Sequence, residues 1–339
     1  MKQIVPRLVW LLVFALSSFH FCAALETHGF FSMEYLKGQE QSEWAEGSLQ
    51  NLKGGLIFSG EMAPKLSFAL ELQFREVHRM EMEQAWVGFI PSDAFHLKIG
   101  LYLVPFGKYN QANRPVQTSL IKEPLPIHGA YPSSWRDLGL LLDGRIGFLR
   151  YAAYLGNGLQ EGEDLRAGQQ FKDNNRDKGK GVRIGLLLSQ NFEAGYSYYS
   201  GKIDSNNERG LALQGLDGTW MTENFELTAE YVRARIENPE PFSQGKADGF
   251  FVLFRWILGN LQPLVGYEKW DYQDAVHGVG FTDSLTVGNG ILEKKNGWIV
   301  GCVYSLSPNF LLKIEYDFNQ ESNLDLKNNV FQVQAAIAF

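Results

Sequence analysis

Apolar residues recur at every second position in segment after segment of this chain. Beyond residue 24, no stretch holds 18 apolar residues in a row. Period two puts successive side chains on opposite faces of a strand, and the missing long runs exclude helical membrane spans. In KLSFALELQFR, Leu66, Phe68, Leu70, Leu72 and Phe74 share one face; in FHLKIGLYL, Phe95, Leu97, Ile99, Leu101 and Leu103 do. GVRIGLLLS, NFEAGYSYYS, NFELTAEYV, GFFVLFRWIL and FLLKIEYDF read the same way. Sixteen such segments lie near 28–37, 51–62, 66–76, 81–90, 95–103, 138–143, 148–156, 182–189, 192–201, 211–220, 225–236, 248–258, 261–271, 297–305, 310–319 and 329–339. Alternation is weak near 51–62, 81–90 and 211–220, which leaves fourteen or eighteen strands as alternatives.

The connections alternate in length. One set is short: APK, PSDA, GRIG, QN, MTEN, GN and LSPN. The other runs through 38–50, 104–137, 157–181, 202–210, 237–247, 272–296 and 320–328, with one short exception near 77–80. A closed antiparallel transmembrane β-barrel has this asymmetry of tight turns at one end and long loops at the other. A secreted β-sandwich has no reason to keep it. Five of the 12 prolines (Pro105, Pro115, Pro124, Pro126 and Pro132) fall in 104–137, and only Pro263 intrudes on a strand. Residues that cannot donate to a ladder are expected to avoid strands.

Residues 1–24 read as a secretory signal peptide: Lys2 and Arg7, an apolar run from Leu8 to Leu16, then Cys22 and Ala24 before a cut after Ala24. The barrel then occupies 25–339. Of 31 basic residues this removes two, so 29 against 38 acids gives a mature charge of −9. That argues against a nucleic-acid partner. Cys302 is the one cysteine left and makes no intramolecular disulfide.

In a barrel the apolar faces point to lipid. The residues between them then line the interior: Ser67, Glu71, Gln73, Arg75, His96, Lys98, Arg183, Glu226, Thr228, Glu230, Lys313, Glu315 and Asp317. These are polar, and a barrel of this size is expected to hold water. Trp256, Trp298, Tyr198, Tyr231 and Phe318 stand near outward strand ends, where aromatic girdles lie. The last segment, FQVQAAIAF, alternates to Phe339, and its closure on HGFFSMEYLK would leave no free edge.

The stretch 98–156 resembles the phosphate-selective porin O/P family of Gram-negative outer-membrane porins. LKIGLYLVPFGKYN runs into a long loop and SSWRDLGLLLDG brings the chain back, with Gly100 and Pro105-Phe106-Gly107 as the motif. The resemblance implies a third loop folded into the lumen, a homotrimer and an outer-membrane setting of lipid and lipopolysaccharide. It also implies a terminal phenylalanine read by the barrel-assembly machinery. Charges on or beside that loop are Lys108, Arg114, Lys122 and Arg136 against Glu123 and Asp137, with Lys53, Arg75 and Lys98 on neighbouring walls. A basic ring at a narrowing favours anions. The alternative is that these cations pair with wall carboxylates.

No G-x-S-x-G, H-E-x-x-H or cysteine pair is present, and no cofactor motif. DNNRDKGKG (173–181) fails as a calcium loop at Lys178 and Ile184. The expectation is a porin for passive diffusion of small hydrophilic solutes and ions, with weak anion preference and no enzymatic activity. A non-conducting structural or adhesive barrel, or an outer-membrane enzyme, are the alternatives.

Overall fold

The alternating segments become sixteen strands. They are β1 (Glu26–Gly38), β2 (Ser48–Ala63), β3 (Leu66–Arg75), β4 (Arg79–Ser92), β5 (Phe95–Leu103), β6 (Arg136–Ile146), β7 (Leu149–Gly156) and β8 (Gly179–Leu187), followed by β9 (Phe192–Lys202), β10 (Gly210–Met221), β11 (Phe225–Ile236), β12 (Gly245–Trp256), β13 (Leu261–Asp274), β14 (Lys294–Ser307), β15 (Phe310–Glu321) and β16 (Val330–Ala338). This computed structural model describes residues 25–76, 79–277, 294–322 and 325–339, so the expected signal peptide lies outside the described residues.

Each strand pairs antiparallel with its sequence neighbours, and β1 pairs with β16 to close the barrel. The seam runs to the last residue: Gly29 N–H donates to the Phe339 carbonyl at 2.8 Å and Phe339 N–H returns to Gly29 at 2.9 Å. Closure leaves none of the described strands without a partner on either side, the condition for a sheet in lipid.

The outward face is apolar. Phe31, Phe74, Ile99, Ile184, Leu216, Val252, Val300, Ile314 and Phe318 are all exposed on it. Trp220 and Trp256 stand at the turn end of this band and Trp298 toward the loop end, all exposed. Side chains that prefer an apolar body and a wet tip belong at those two levels.

The inward face is polar only in part. Glu71, Gln73, Arg183, Ser197, Lys313, Glu315, Asp317, Gln332 and Gln334 are buried on it. Toward the loop ends of β9–β13 the polarity inverts. Leu211, Leu213, Val232, Ala234, Ile236, Ala247, Trp270 and Tyr272 are buried inside, while Arg233, Lys246, Lys269 and Asp271 lie on the opposite face. Charged side chains on the outer face have no place in hydrocarbon. These strand ends therefore rise beyond the apolar band. The uniformly polar interior expected from the sequence is corrected here: part of the interior is a dry core.

The connection 104–135 supplies the rest of that core. Val104, Phe106, Leu120, Ile127, Tyr131 and Trp135 are buried with the inner residues of β9–β13. Phe106, Tyr131, Trp135 and Tyr199 form a chain of ring contacts at centroid distances of 5.5, 5.3 and 4.9 Å. The short helix Leu125–Ala130 packs against β11, β12 and β13. The connection ends earlier than expected, because Arg136 and Asp137 already belong to β6.

Candidate functional site

Wall side chains from strands all round the barrel hold the backbone of the connection. Gly107 N–H donates to Ser197 Oγ at 3.1 Å. Glu230 accepts from Lys108 N–H at 2.9 Å and Tyr109 N–H at 2.6 Å. Glu315 accepts from Ile121 N–H at 2.9 Å, and Glu268 from Leu125 N–H at 2.8 Å. Lys313 Nζ donates to the carbonyls of Pro115 at 2.7 Å and Leu120 at 3.3 Å. Arg114 reaches Glu71 through Nε at 3.1 Å and Nη2 at 2.6 Å, a two-pronged contact on β3. A loop would otherwise carry orphan backbone groups; here acidic strand residues satisfy them.

Two glycines of the PFG region fit this arrangement. Gly100 has φ +134 and lies so close to β4 that a Cβ would sit 2.2 Å from the Ala85 carbonyl oxygen. Gly107 has φ +64, and a Cβ there would meet Glu230 Oε2 at 2.4 Å. Gly107→Ala should therefore cost about 2–3 kcal/mol from strain plus clash. Gly147 has φ +60 with nothing within 4 Å, so Gly147→Ala isolates the strain, about 1 kcal/mol. Unfolding midpoints of the two variants in lipid or detergent check the difference; equal losses would refute the clash.

Eight of the nine residues singled out from sequence engage a named partner. Arg75 lies 3.8 Å from Glu81 and 3.7 Å from Glu83. Arg136 bridges the same two acids, at 3.0 Å each. Lys98 pairs with Asp143 at 2.8 Å, Lys108 with Glu193 at 3.3 Å, and Arg114 with Glu71 at 2.6 Å. Lys122 reaches Glu268 at 2.8 Å and Asp317 at 3.5 Å. Burial works against its ammonium, but Asp317 and Glu268 outweigh that and raise its pKa, so Lys122 stays charged at neutral pH. Glu123 sits 3.5 Å from His128 at the helix. Asp137 accepts N–H bonds from Leu138, Asn157 and Gly158 at 2.8, 2.9 and 3.0 Å. Lys53, on β2 opposite Arg75, has no carboxylate partner among the described residues.

Open volume borders the connection at several places; at the loop end a cavity of about 870 Å³ lies beside Arg75, Glu81, Pro132, Ser133 and Arg136. Toward β2–β3 a small cavity of about 60 Å³ lies beside Lys53, Gln73 and Arg75. Toward β4–β9 and the turn end there is a cavity of about 510 Å³. A neighbouring cavity of about 420 Å³ shares Lys108, Arg150 and Glu193 with it and continues to Glu226 and Glu230. Sequence reading missed Trp86, Arg150 and Glu193 on these walls. Glu193 and Arg150 stood between outward residues in clean segments, so the alternation itself could have placed them. Trp86 could not be found that way, because a bulge breaks its strand.

No family model matches the chain. A relative from Aquifex aeolicus, an uncharacterized protein, is 22% identical over 202 residues, 54% of this chain. The chain spans less than half of that relative, 45% of its length. Solved structures share the whole fold. An anion-selective porin from Comamonas acidovorans superposes with a TM-score of 0.69 at 11% identity, over 94% of this chain and 100% of that one. Salmonella typhi OmpF in complex with daunomycin gives 0.67 at 12%, over 93% and 97%. OmpT of Vibrio cholerae in its trimer form gives 0.65 at 10%, over 94% and 99%. The fold shared with these outer-membrane proteins is a closed antiparallel β-barrel, of sixteen strands in this chain. At these identities the likeness is one of fold, and it carries nothing specific to the phosphate-selective family.

Proposed function

We propose that the protein is an outer-membrane porin through which small hydrophilic solutes and ions diffuse passively, with weak anion preference. The observation that carries this is the connection 104–135, hydrogen-bonded to inward side chains from β3 to β15, with cavities of about 510 and 420 Å³ beside it toward β4–β12. On this reading it crosses the lumen and narrows it, and solutes pass beside Lys108, Arg150 and Glu193. Lys53 and the cation-rich β4–β9 wall favour anions. Most loop and wall cations are spent on carboxylates, which argues for a weak preference and against phosphate specificity. The anion-selective Comamonas porin of the same fold supports the sign, and the trimeric OmpT supports a homotrimer. Export by the 1–24 signal peptide, insertion by the barrel-assembly machinery through the last strand, and contact with lipopolysaccharide belong to the same proposal.

Planar-bilayer recording of purified, refolded protein under a KCl gradient tests it. Stepwise openings of stable size and a chloride-favouring reversal potential are expected. A potassium-favouring sign would overturn the selectivity and leave the pore. Folded, heat-modifiable protein that gives no steps would overturn the porin and favour a structural barrel.

A further inference from the structure

The cavity of about 510 Å³ on the β4–β9 side has more cations than acids. Lys98, Lys108, Arg145, Arg150 and Arg183 line it against Asp93, Asp143 and Glu193, an excess of 5 − 3 = 2 with histidine neutral. Asp217 takes Arg183 from behind at 2.5 Å, and the balance is still positive when it is counted.

The acids are shared. One carboxylate, Glu193, faces Arg150 at 3.1 Å, Lys108 at 3.3 Å and Arg183 at 3.7 Å. Arg150 and Lys108 both address the same oxygen, Oε2, and both remain partly open to the cavity. A guanidinium offers five donors in a fixed fork, so one oxygen leaves most of Arg150 unused. A second carboxylate entering the cavity meets donors already in place and relieves their mutual repulsion.

Another stretch of the lining is apolar. Trp86 stands there half-buried, with Lys98 Nζ 5.1 Å over its ring. An indole face beside an ammonium fits a flat apolar group whose charge points across the cavity. The volume lies within the ~300–1,000 Å³ of small-molecule pockets and far exceeds what a bare inorganic anion fills.

We infer that this turn-side cavity is a binding site for aromatic carboxylates, with the carboxylate on Arg150 and Lys108 and the ring on Trp86. The inference rests on the porin reading for its role in uptake, but the site can be tested without it.

Binding of benzoate to the refolded barrel in detergent, followed by saturation-transfer NMR, is the first test; block of KCl current by benzoate is the second. Saturable binding is expected, weakened about tenfold in Trp86→Leu and at least as much in Arg150→Gln. Benzamide, which lacks the charge, and inorganic phosphate, which lacks the ring, should each bind about tenfold more weakly than benzoate. Heat-modifiability on gels shows that each variant is folded. Conductance without benzoate binding overturns the site and leaves the porin. Benzoate binding that depends on Trp86, in a barrel that does not conduct, keeps the site and overturns the porin. Equal binding of benzoate and phosphate overturns the aromatic part and with it the inference.

Discussion

Removing residues 330–339 should abolish the folded barrel. β16 is paired at nine positions with β1 and at eight with β15. Its loss leaves two edges whose N–H and C=O groups would face lipid. Each such group costs several kcal/mol, and a few exceed the roughly 5–15 kcal/mol that holds a typical domain together. Polar contacts go as well: Gln332 Nε2 donates to Asp317 at 2.5 Å, and Gln334 Nε2 to Glu34 at 2.7 Å. The truncated chain should give no heat-modifiable band after refolding into detergent and no protease-resistant core. Either one would show that the remaining fifteen strands close by themselves. Phe339→Ala is the contrast. It keeps both backbone bonds to Gly29, and its ring is 66% exposed, so folding should weaken by no more than about 1 kcal/mol.

The fold was legible because the signal is carried by faces. All sixteen segments are strands, and their connections alternate as the sequence indicates. The three weak segments were weak for physical reasons. In β2 the pairing with β1 slips across Asn51 and Leu52, where Asn51 takes φ +53, so the faces exchange within the strand. In β4 the extra residue Glu83 shifts the outward set from Met80 and Met82 to Ala85, Val87 and Phe89. In β10 there is no slip. Leu211 and Leu213 face a dry core instead of water, so both faces are apolar and alternation is hidden.

The site was legible only halfway, for the same reason. Alternation says which way Lys98 or Arg75 points, but not which acid meets it. Glu83, inside the β4 bulge, is one of the two acids that Arg75 and Arg136 share. Nor could spacing show that Glu230, Glu268 and Glu315 are acceptors for loop N–H groups, because their donors are backbone atoms 121–194 residues or so away in sequence. Counting interior charges from sequence therefore overstates the free cations. The ion pairs decide how basic the passage is.

Lys313→Met is the substitution expected to separate loop anchoring from wall stability most directly. Lys313 is 1% exposed on the inner face of β15. Its ammonium touches the Pro115 and Leu120 carbonyls and, at 3.2 Å, Thr118 Oγ1. Methionine keeps most of the length and volume but offers no donor. Two loop carbonyls are then left without this bond, and Glu315, which holds Ile121 and Lys122 by their N–H groups, loses a neighbouring positive charge. Leaving a buried acceptor without its donor costs about 1–3 kcal/mol for each carbonyl. The loss should appear as a lower denaturant midpoint in lipid. It should also appear in the current: residues 115–122 are released at one end, so single-channel traces become noisier while the mean opening stays or grows. Glu315→Gln retains an acceptor oxygen for Ile121 and should fall between the wild type and Lys313→Met in both measurements. If Lys313→Met instead lowered the midpoint but left the current as quiet as wild type, the connection would be held by Glu230, Glu268 and its aromatic core alone, and Lys313 would be a wall residue that happens to touch it.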